Sequence, residues 1–210
     1  MKEIFDINPK SKIKVIEFNE SPFYIIDNFY QNPNLILELI FKNNPILWKN
    51  WQKPSYNGIY FEDYRHQMQV SGIENVFDHL SNICNKNSYE KKFLTNVMKF
   101  KRHKFNNYKN NYWWPHLDRG YTAIVYLNTM ECSGTNIYYP LQDDFEMKYQ
   151  NEHFCPWRGK EYWQVCATII SKFNRLVLFD ASKFYHGASI DDETFFGNTF
   201  RMNQVMFFQS

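Results

Sequence analysis

The sequence predicts a mainly β fold with flanking helices, and three observations support this. Aromatic residues make up 20% of the 210 residues, with 20 Phe and 15 Tyr, and such side chains fit the pleated surfaces of sheets. From Phe93 to the end, short apolar runs of strand length recur between polar loops. Before Phe93, two segments instead repeat apolar residues at helical spacing. The chain is therefore expected to be a single domain over 1–210.

The N-terminal part, residues 1–92, is predicted to hold two strands and two supporting helices. The strands span 13–18 and 23–26. Asn32 followed by Pro33 is typical of a capping residue with Pro at the first helical position, and that helix ends near residues 43–45. The second helix is predicted from about residue 74 to residue 85. Both helices are expected to brace the outside of a sheet formed mainly by residues 93–210.

Composition and charge exclude several function classes. The formal net charge is +2, so nothing in the overall balance demands a nucleic-acid partner or an anionic membrane. The four cysteines show no Cys-x-x-Cys spacing, which argues against a zinc module. No apolar run has the length of a signal-peptide core or a membrane span. We therefore expect a cytoplasmic protein without a membrane partner, whereas its oligomeric state is not predicted.

The most informative stretch runs from Trp113 to Asp118 and is followed by the apolar residues 122–127. His116 and Asp118 are two residues apart, so their side chains point the same way if the chain is extended. An imidazole and a carboxylate on one face are two ligands of a 2-His-1-carboxylate iron site, which needs one more histidine. His186 follows the strand-like residues 175–179, and Arg201 follows later in another such run.

In this order the segments resemble the iron(II)- and 2-oxoglutarate-dependent dioxygenases, and more narrowly their prolyl-hydroxylase-like branch with its bacterial and viral relatives. The likeness covers residues 93–208 in order, and the segments that carry it are 115–118, 134–139, 173–179, 186–187 and 201–203. The resemblance implies a double-stranded β-helix (jelly-roll) core of eight strands. It also implies a hydroxylase that uses iron(II), 2-oxoglutarate and dioxygen.

The resemblance assigns roles to individual residues. His116, Asp118 and His186 would be the catalytic metal ligands, and Arg201 would pair with the remote carboxylate of 2-oxoglutarate. We expect Asn203, Tyr126 and Asn136 to assist in binding that co-substrate. For Arg201 there is also a geometric argument: if residues 191–198 form the turn of an antiparallel pair, Arg201 lies roughly across from His186.

The substrate itself is not readable from the sequence. Two long segments, 105–114 and 140–164, are candidate substrate-binding loops, because connections of such length are uncommon unless they are functional. By analogy with the family, a free amino acid, a peptide or another small molecule is expected. Two alternatives remain open: a non-catalytic jelly-roll binding module, and a cupin-type iron enzyme that does not use 2-oxoglutarate.

Overall fold

A computed structural model describes the greater part of the chain. The residues described are 4–44, 49–50, 62–66, 72–86, 90–99, 115–129, 134–141, 148–150, 153–155, 162–189 and 201–209. The predicted loop at 105–114 and the predicted turn at 191–198 lie outside these residues. Within the predicted loop at 140–164, a short hairpin is present, formed by β8 (Lys148–Gln150) and β9 (His153–Cys155).

Two antiparallel sheets dominate the described structure. The strands of the large sheet are β1 (Lys12–Phe18), β2 (Ser21–Asp27), β3 (Lys49–Asn50), β4 (Glu62–His66), β5 (Glu90–Lys99), β6 (Tyr121–Tyr126), β11 (Arg175–Asp180) and β13 (Arg201–Gln209). Those of the small sheet are β7 (Thr135–Pro140), β10 (Trp163–Ile169) and β12 (Tyr185–Ala188). Among the described residues, the order in the large sheet is β1-β2-β11-β6-β13-β5-β4-β3, and in the small sheet it is β10-β7-β12.

The chain passes repeatedly between the two sheets. It leaves the large sheet after β6, forms β7 and β10 in the small sheet, and returns to the large sheet in β11. It then crosses to the small sheet in β12 and back to the large sheet in β13. This alternation between facing sheets is the double-stranded β-helix, so the predicted fold class is confirmed. Eight core strands were expected. Among the described residues, the large sheet has eight strands and the small sheet has three, so the strands are not divided equally between the two sheets.

Strand alternation separates two apolar layers. On β11, Leu176 and Leu178 face the helices, whereas Val177 and Phe179 face the small sheet. All four side chains are fully buried, as expected for a central strand covered on both faces. The space between the sheets is also filled by residues of β6, β7 and β13, namely Ile124, Tyr126, Ile137 and Val205.

The two helices cover the outer face of the large sheet, as predicted. Helix α1 spans Pro33–Lys42 and α2 spans Ile73–Cys84, and their apolar stripes pack against the layer that contains Leu176 and Leu178. Asn32 occupies the capping position before Pro33, as predicted, although its side chain makes no capping hydrogen bond. Neither helix is long and apolar enough to cross a membrane, and the same holds throughout the described residues.

Asn174 connects the N-terminal segment to the core. Its side-chain oxygen accepts a hydrogen bond from the Tyr30 backbone N–H at 2.9 Å, and its amide nitrogen donates to the Tyr30 carbonyl at 2.8 Å. Its own backbone N–H donates to the carbonyl of Tyr126 at 2.8 Å, at the end of β6. Asn174 has a φ of 61°, a left-handed conformation that asparagine tolerates better than most residues. The side chain thus replaces a missing backbone partner for Tyr30.

Candidate metal centre and co-substrate pocket

His116 and His186 are brought together by a backbone pairing. The N–H of His116 donates to the carbonyl of His186 at 3.1 Å, and the N–H of His186 donates to the carbonyl of His116 at 3.0 Å. Residues directly opposite each other in an antiparallel pair project to the same side. The two imidazole centroids are accordingly 4.5 Å apart. Asp118, two residues along an extended segment, projects to this side as well.

The three side chains form a group that could hold a metal ion. One ligand atom from each lies within 4.8 Å of the others. Oδ2 of Asp118 is 3.2 Å from Nε2 of His186 and 3.9 Å from Nε2 of His116. Neighbouring ligands of an octahedral ion with bonds of about 2.1 Å are about 3 Å apart, so small side-chain adjustments suffice. Two imidazoles and a carboxylate on one side are the donor set of a facial triad, which leaves coordination positions open.

Hydrogen bonds orient two of these ligands. Nδ1 of His186 is 3.0 Å from the carbonyl oxygen of Phe184. Because a carbonyl only accepts, the proton belongs on Nδ1, and the lone pair of Nε2 is then directed toward Asp118 and His116. The hydroxyl of Thr122 donates to Oδ2 of Asp118 at 3.4 Å, and the Asp118 backbone N–H donates to the carbonyl of Ala181.

The metal-ligand group lies at the edge of the apolar interior. Asp118 and His186 are 7% and 4% exposed, whereas the side chain of His116 is 23% exposed. The edge of the Phe179 ring contacts His186, with centroids 5.1 Å apart. A carboxylate in such surroundings is costly unless a cation or hydrogen bonds compensate its charge. The site therefore suits a bound cation.

Arg201 lies in the interior, but the geometric argument for its position is wrong. β12 pairs with β7 in the small sheet, whereas β13 pairs with β5 and β6 in the large sheet. The strands of His186 and Arg201 therefore lie in different sheets and form no antiparallel pair. Arg201 is nevertheless only 4% exposed, and one guanidinium nitrogen donates to the carbonyl of Gly134 at 3.1 Å.

Tyr126 and Asn203 accompany Arg201 on the inner face of the large sheet. They lie opposite each other in the β6–β13 register. The Tyr126 hydroxyl is 2.7 Å from the hydroxyl of Thr135, across the space between the sheets. Burial raises the pKa of Tyr126, against smaller lowering effects of the Thr135 hydrogen bond and the Arg201 charge, so this phenol remains a donor at neutral pH. Oδ1 of Asn203 is buried and has no hydrogen-bond partner within the part of the chain that the structure describes.

Asn136 is not part of this pocket. Its oxygen accepts a hydrogen bond from Thr168 at 2.8 Å, and its nitrogen donates to the Tyr138 hydroxyl at 3.3 Å. These residues occupy the outer face of the small sheet, because Ile137, between them in sequence, packs into the interior layer. The expectation that Asn136 points into the barrel is thus wrong. The neighbouring residue that faces inward is Thr135. Strand alternation alone could not identify it, because the sequence does not show which face of β7 is the inner one.

The fold and these side chains define a class: a jelly-roll protein with a 2-His-1-carboxylate group at one end of the space between its sheets. No protein-family model matches the sequence, and no curated protein matches it. Among solved structures, the chain is similar to one titled as an oxidoreductase of the 2OG-Fe(II) oxygenase family from Burkholderia pseudomallei. The TM-score is 0.46 at 10% identity, over 89% of this chain and 85% of that chain.

Proposed function

We propose that this chain is an iron(II)- and 2-oxoglutarate-dependent oxygenase that hydroxylates a free or peptidyl amino acid. The observation that supports it most is the arrangement of His116, Asp118 and His186 on one face, with a buried arginine further inside. Two neutral imidazoles and one carboxylate suit a divalent ion of intermediate hardness such as iron(II). A facial set leaves room for a bidentate co-substrate and for dioxygen.

The residues beyond the triad fit a dicarboxylate. Arg201 would pair with the remote carboxylate, since a guanidinium matches a carboxylate with two parallel hydrogen bonds. The Tyr126 hydroxyl and the Asn203 amide would complete that end. The buried Asn203 amide oxygen, which has no partner among the described residues, supports a site that a ligand would complete. A rotation of the side-chain amide by about 180° exchanges its oxygen and nitrogen, so Asn203 can donate to a carboxylate.

The spacing along β7 supports a pocket whose two ends have a suitable separation. On β7, Thr135 contacts Tyr126, and Ile137 lies opposite His186. Two residues along a strand span about 7 Å, which a five-carbon dicarboxylate can bridge while its keto-acid end reaches the metal. The end that would bind the remote carboxylate lies beside Thr135, and the end that would bind the metal lies beside Ile137. These are successive inward-facing residues of β7.

The role of the protein is to hold and orient these groups in a dry environment. When bound, iron(II) and 2-oxoglutarate would supply the oxidising chemistry, with decarboxylation of the co-substrate to succinate. Asp118 and the two histidines would hold the metal, and Phe184 fixes the His186 tautomer through its carbonyl. Phe179 excludes water from one side of His186. Hydroxylation is proposed rather than halogenation because Asp118 occupies the position that a halide ligand would need.

The test is succinate formation by the purified protein. Given iron(II), 2-oxoglutarate and oxygen, the parent should form succinate and carbon dioxide, slowly even without a primary substrate, and His116→Ala should not. His79→Ala serves as a matched control, because His79 lies on α2 near Phe29, away from the triad. Equal succinate from the parent and from His116→Ala, with iron bound to the parent, would indicate a non-catalytic module.

A further inference from the structure

Among the described residues, exposure rises toward the end of the space between the sheets that lies beyond the metal ligands. The inward-facing residues of β7 are Thr135, Ile137 and Tyr139, by strand alternation. Thr135 and Ile137 are buried, at the levels of Tyr126 and His186 respectively, whereas Tyr139 is 54% exposed. Gln164, opposite Tyr139 on β10, is exposed too. The Tyr139 end is thus the exposed one, from which a substrate would reach the metal, whereas Arg201 is buried toward the other end.

The large sheet contributes a cation at this open end. On β13, Phe207 lies opposite Thr122 of β6 and opposite Lys92 of β5. Residues opposite each other share a face, so all three face the space between the sheets. Thr122 donates its hydroxyl hydrogen bond to Asp118, and this row is therefore level with the metal ligands.

The neighbours of Lys92 confirm which face it occupies. Phe93 is buried in the layer under the helices, so Lys92 projects to the other side. Lys91 shares the face of Phe93, and its ammonium contacts Asp78 of α2 at 3.0 Å and Glu74 at 3.8 Å. Lys92 is partly buried rather than fully solvated. The two adjacent lysines thus have the same charge and opposite orientations.

Lys92 is within reach of a molecule bound at the metal. Its backbone is two strand spacings from Thr122, about 10 Å, and the flexible four-carbon stem of lysine shortens this gap for the ammonium. The charges at the site also favour an anion there. A divalent metal, Asp118, a dicarboxylate and Arg201 sum to zero, so a carboxylate on the substrate would need one more cation.

We infer, on the basis of the proposed function, that Lys92 binds a carboxylate of the substrate, and hence that the site selects small carboxylic acids such as amino acids with a free carboxylate. Tyr139 and Phe207 flank the same opening and supply apolar surface for the rest of the substrate. Lys92 is then a specificity-determining residue, and it takes no part in metal or 2-oxoglutarate binding.

The experiment uses manganous protein saturated with 2-oxoglutarate, in which no turnover occurs. The probes are N-acetylleucine and its neutral amide, and the readout is the paramagnetic relaxation of probe protons by the bound manganese. The carboxylate should bind the parent more tightly than the amide does. Lys92→Met should weaken the binding of the carboxylate probe about five- to tenfold and leave the binding of the amide probe unchanged. This is the effect expected for loss of one partly buried charged contact.

Lys91→Met is the matched control, since it removes the same charge from the opposite face and should affect neither probe. A third probe, N-acetylglutamate α-amide, distinguishes a side-chain carboxylate from a main-chain one. The inference would be overturned if the parent treated acid and amide alike, whether it bound both or neither, or if Lys91→Met had the same effect as Lys92→Met. Titration of manganese and 2-oxoglutarate in the same samples tests the proposed function separately, because Lys92→Met should bind both normally.

Discussion

Arg201 offers the sharpest test of the co-substrate pocket. We expect Arg201→Ala to bind metal as the parent does and to bind 2-oxoglutarate far more weakly. Removing one partner of a buried charge pair costs about 2–5 kcal/mol. Arg201 is 4% exposed, so solvent screens its charge little and the upper half of that range would apply to it alone.

Two remaining donors moderate this cost. Tyr126 and Asn203 would still contact the carboxylate in Arg201→Ala, which brings the expected loss to about 3–4 kcal/mol, or about 100- to 1,000-fold in affinity. Arg201→Lys retains the charge and loses the second parallel hydrogen bond, so a loss of about tenfold is expected. The Gly134 carbonyl keeps its hydrogen bond from the Ser189 N–H at 3.0 Å, so the alanine variant leaves no orphaned acceptor there.

The assay is calorimetric titration of 2-oxoglutarate into anaerobic manganous protein, with manganese affinity measured first. Lys172→Ala is the control, because Lys172 is an exposed cation that contacts Asp27 at 3.3 Å. Melting curves without ligand establish that each variant is folded. Unchanged 2-oxoglutarate affinity in a folded, metal-binding Arg201→Ala would show that this arginine is structural and that the proposed co-substrate pocket is wrong.

Three further outcomes are expected. His186→Ala should remain folded and lose manganous-ion binding, and full retention in a metal titration would contradict its assignment as a ligand. Asn174→Ala should lower the free energy of unfolding by about 2–4 kcal/mol, since both buried backbone groups of Tyr30 lose their partners. Asn174→Gly should recover about 1 kcal/mol of this in urea unfolding, because glycine tolerates positive φ. The hydrogen bond from Arg175 lowers the pKa of Asp27, so this pair stabilises the fold above about pH 4 and less as pH falls further. In Arg175→Met, urea midpoints at about pH 7 and pH 3 should differ less than in the parent, and an unchanged difference would refute this linkage.

Patterns within single segments were sufficient for much of the local structure. The apolar spacing predicted α2 within one residue at each end, and Pro33 marked the start of α1. The side chains of His116 and Asp118 share a face because alternation along an extended segment is a local property of the backbone. The same local rule relates Arg201 to Asn203 on β13. These relations do not depend on how the strands pair in the tertiary structure.

The amino-acid sequence by itself therefore determined both helices, the main strands and which residues within one strand share a face. It did not predict the short strands β3, β4, β8 and β9, which carry no periodic apolar pattern long enough to recognise. Only the tertiary structure decided which sheet each strand joins and which of its faces is inside. Alternation makes Thr135 and Asn136 opposite in direction but does not say which one points inward, and the prediction for Asn136 is wrong for this reason. Likewise, β12 and β13 follow each other in sequence yet belong to facing sheets, because strand pairing depends on hydrogen bonds to distant segments. The pocket around Arg201 and the inward orientation of Lys92 both depend on that non-local pairing.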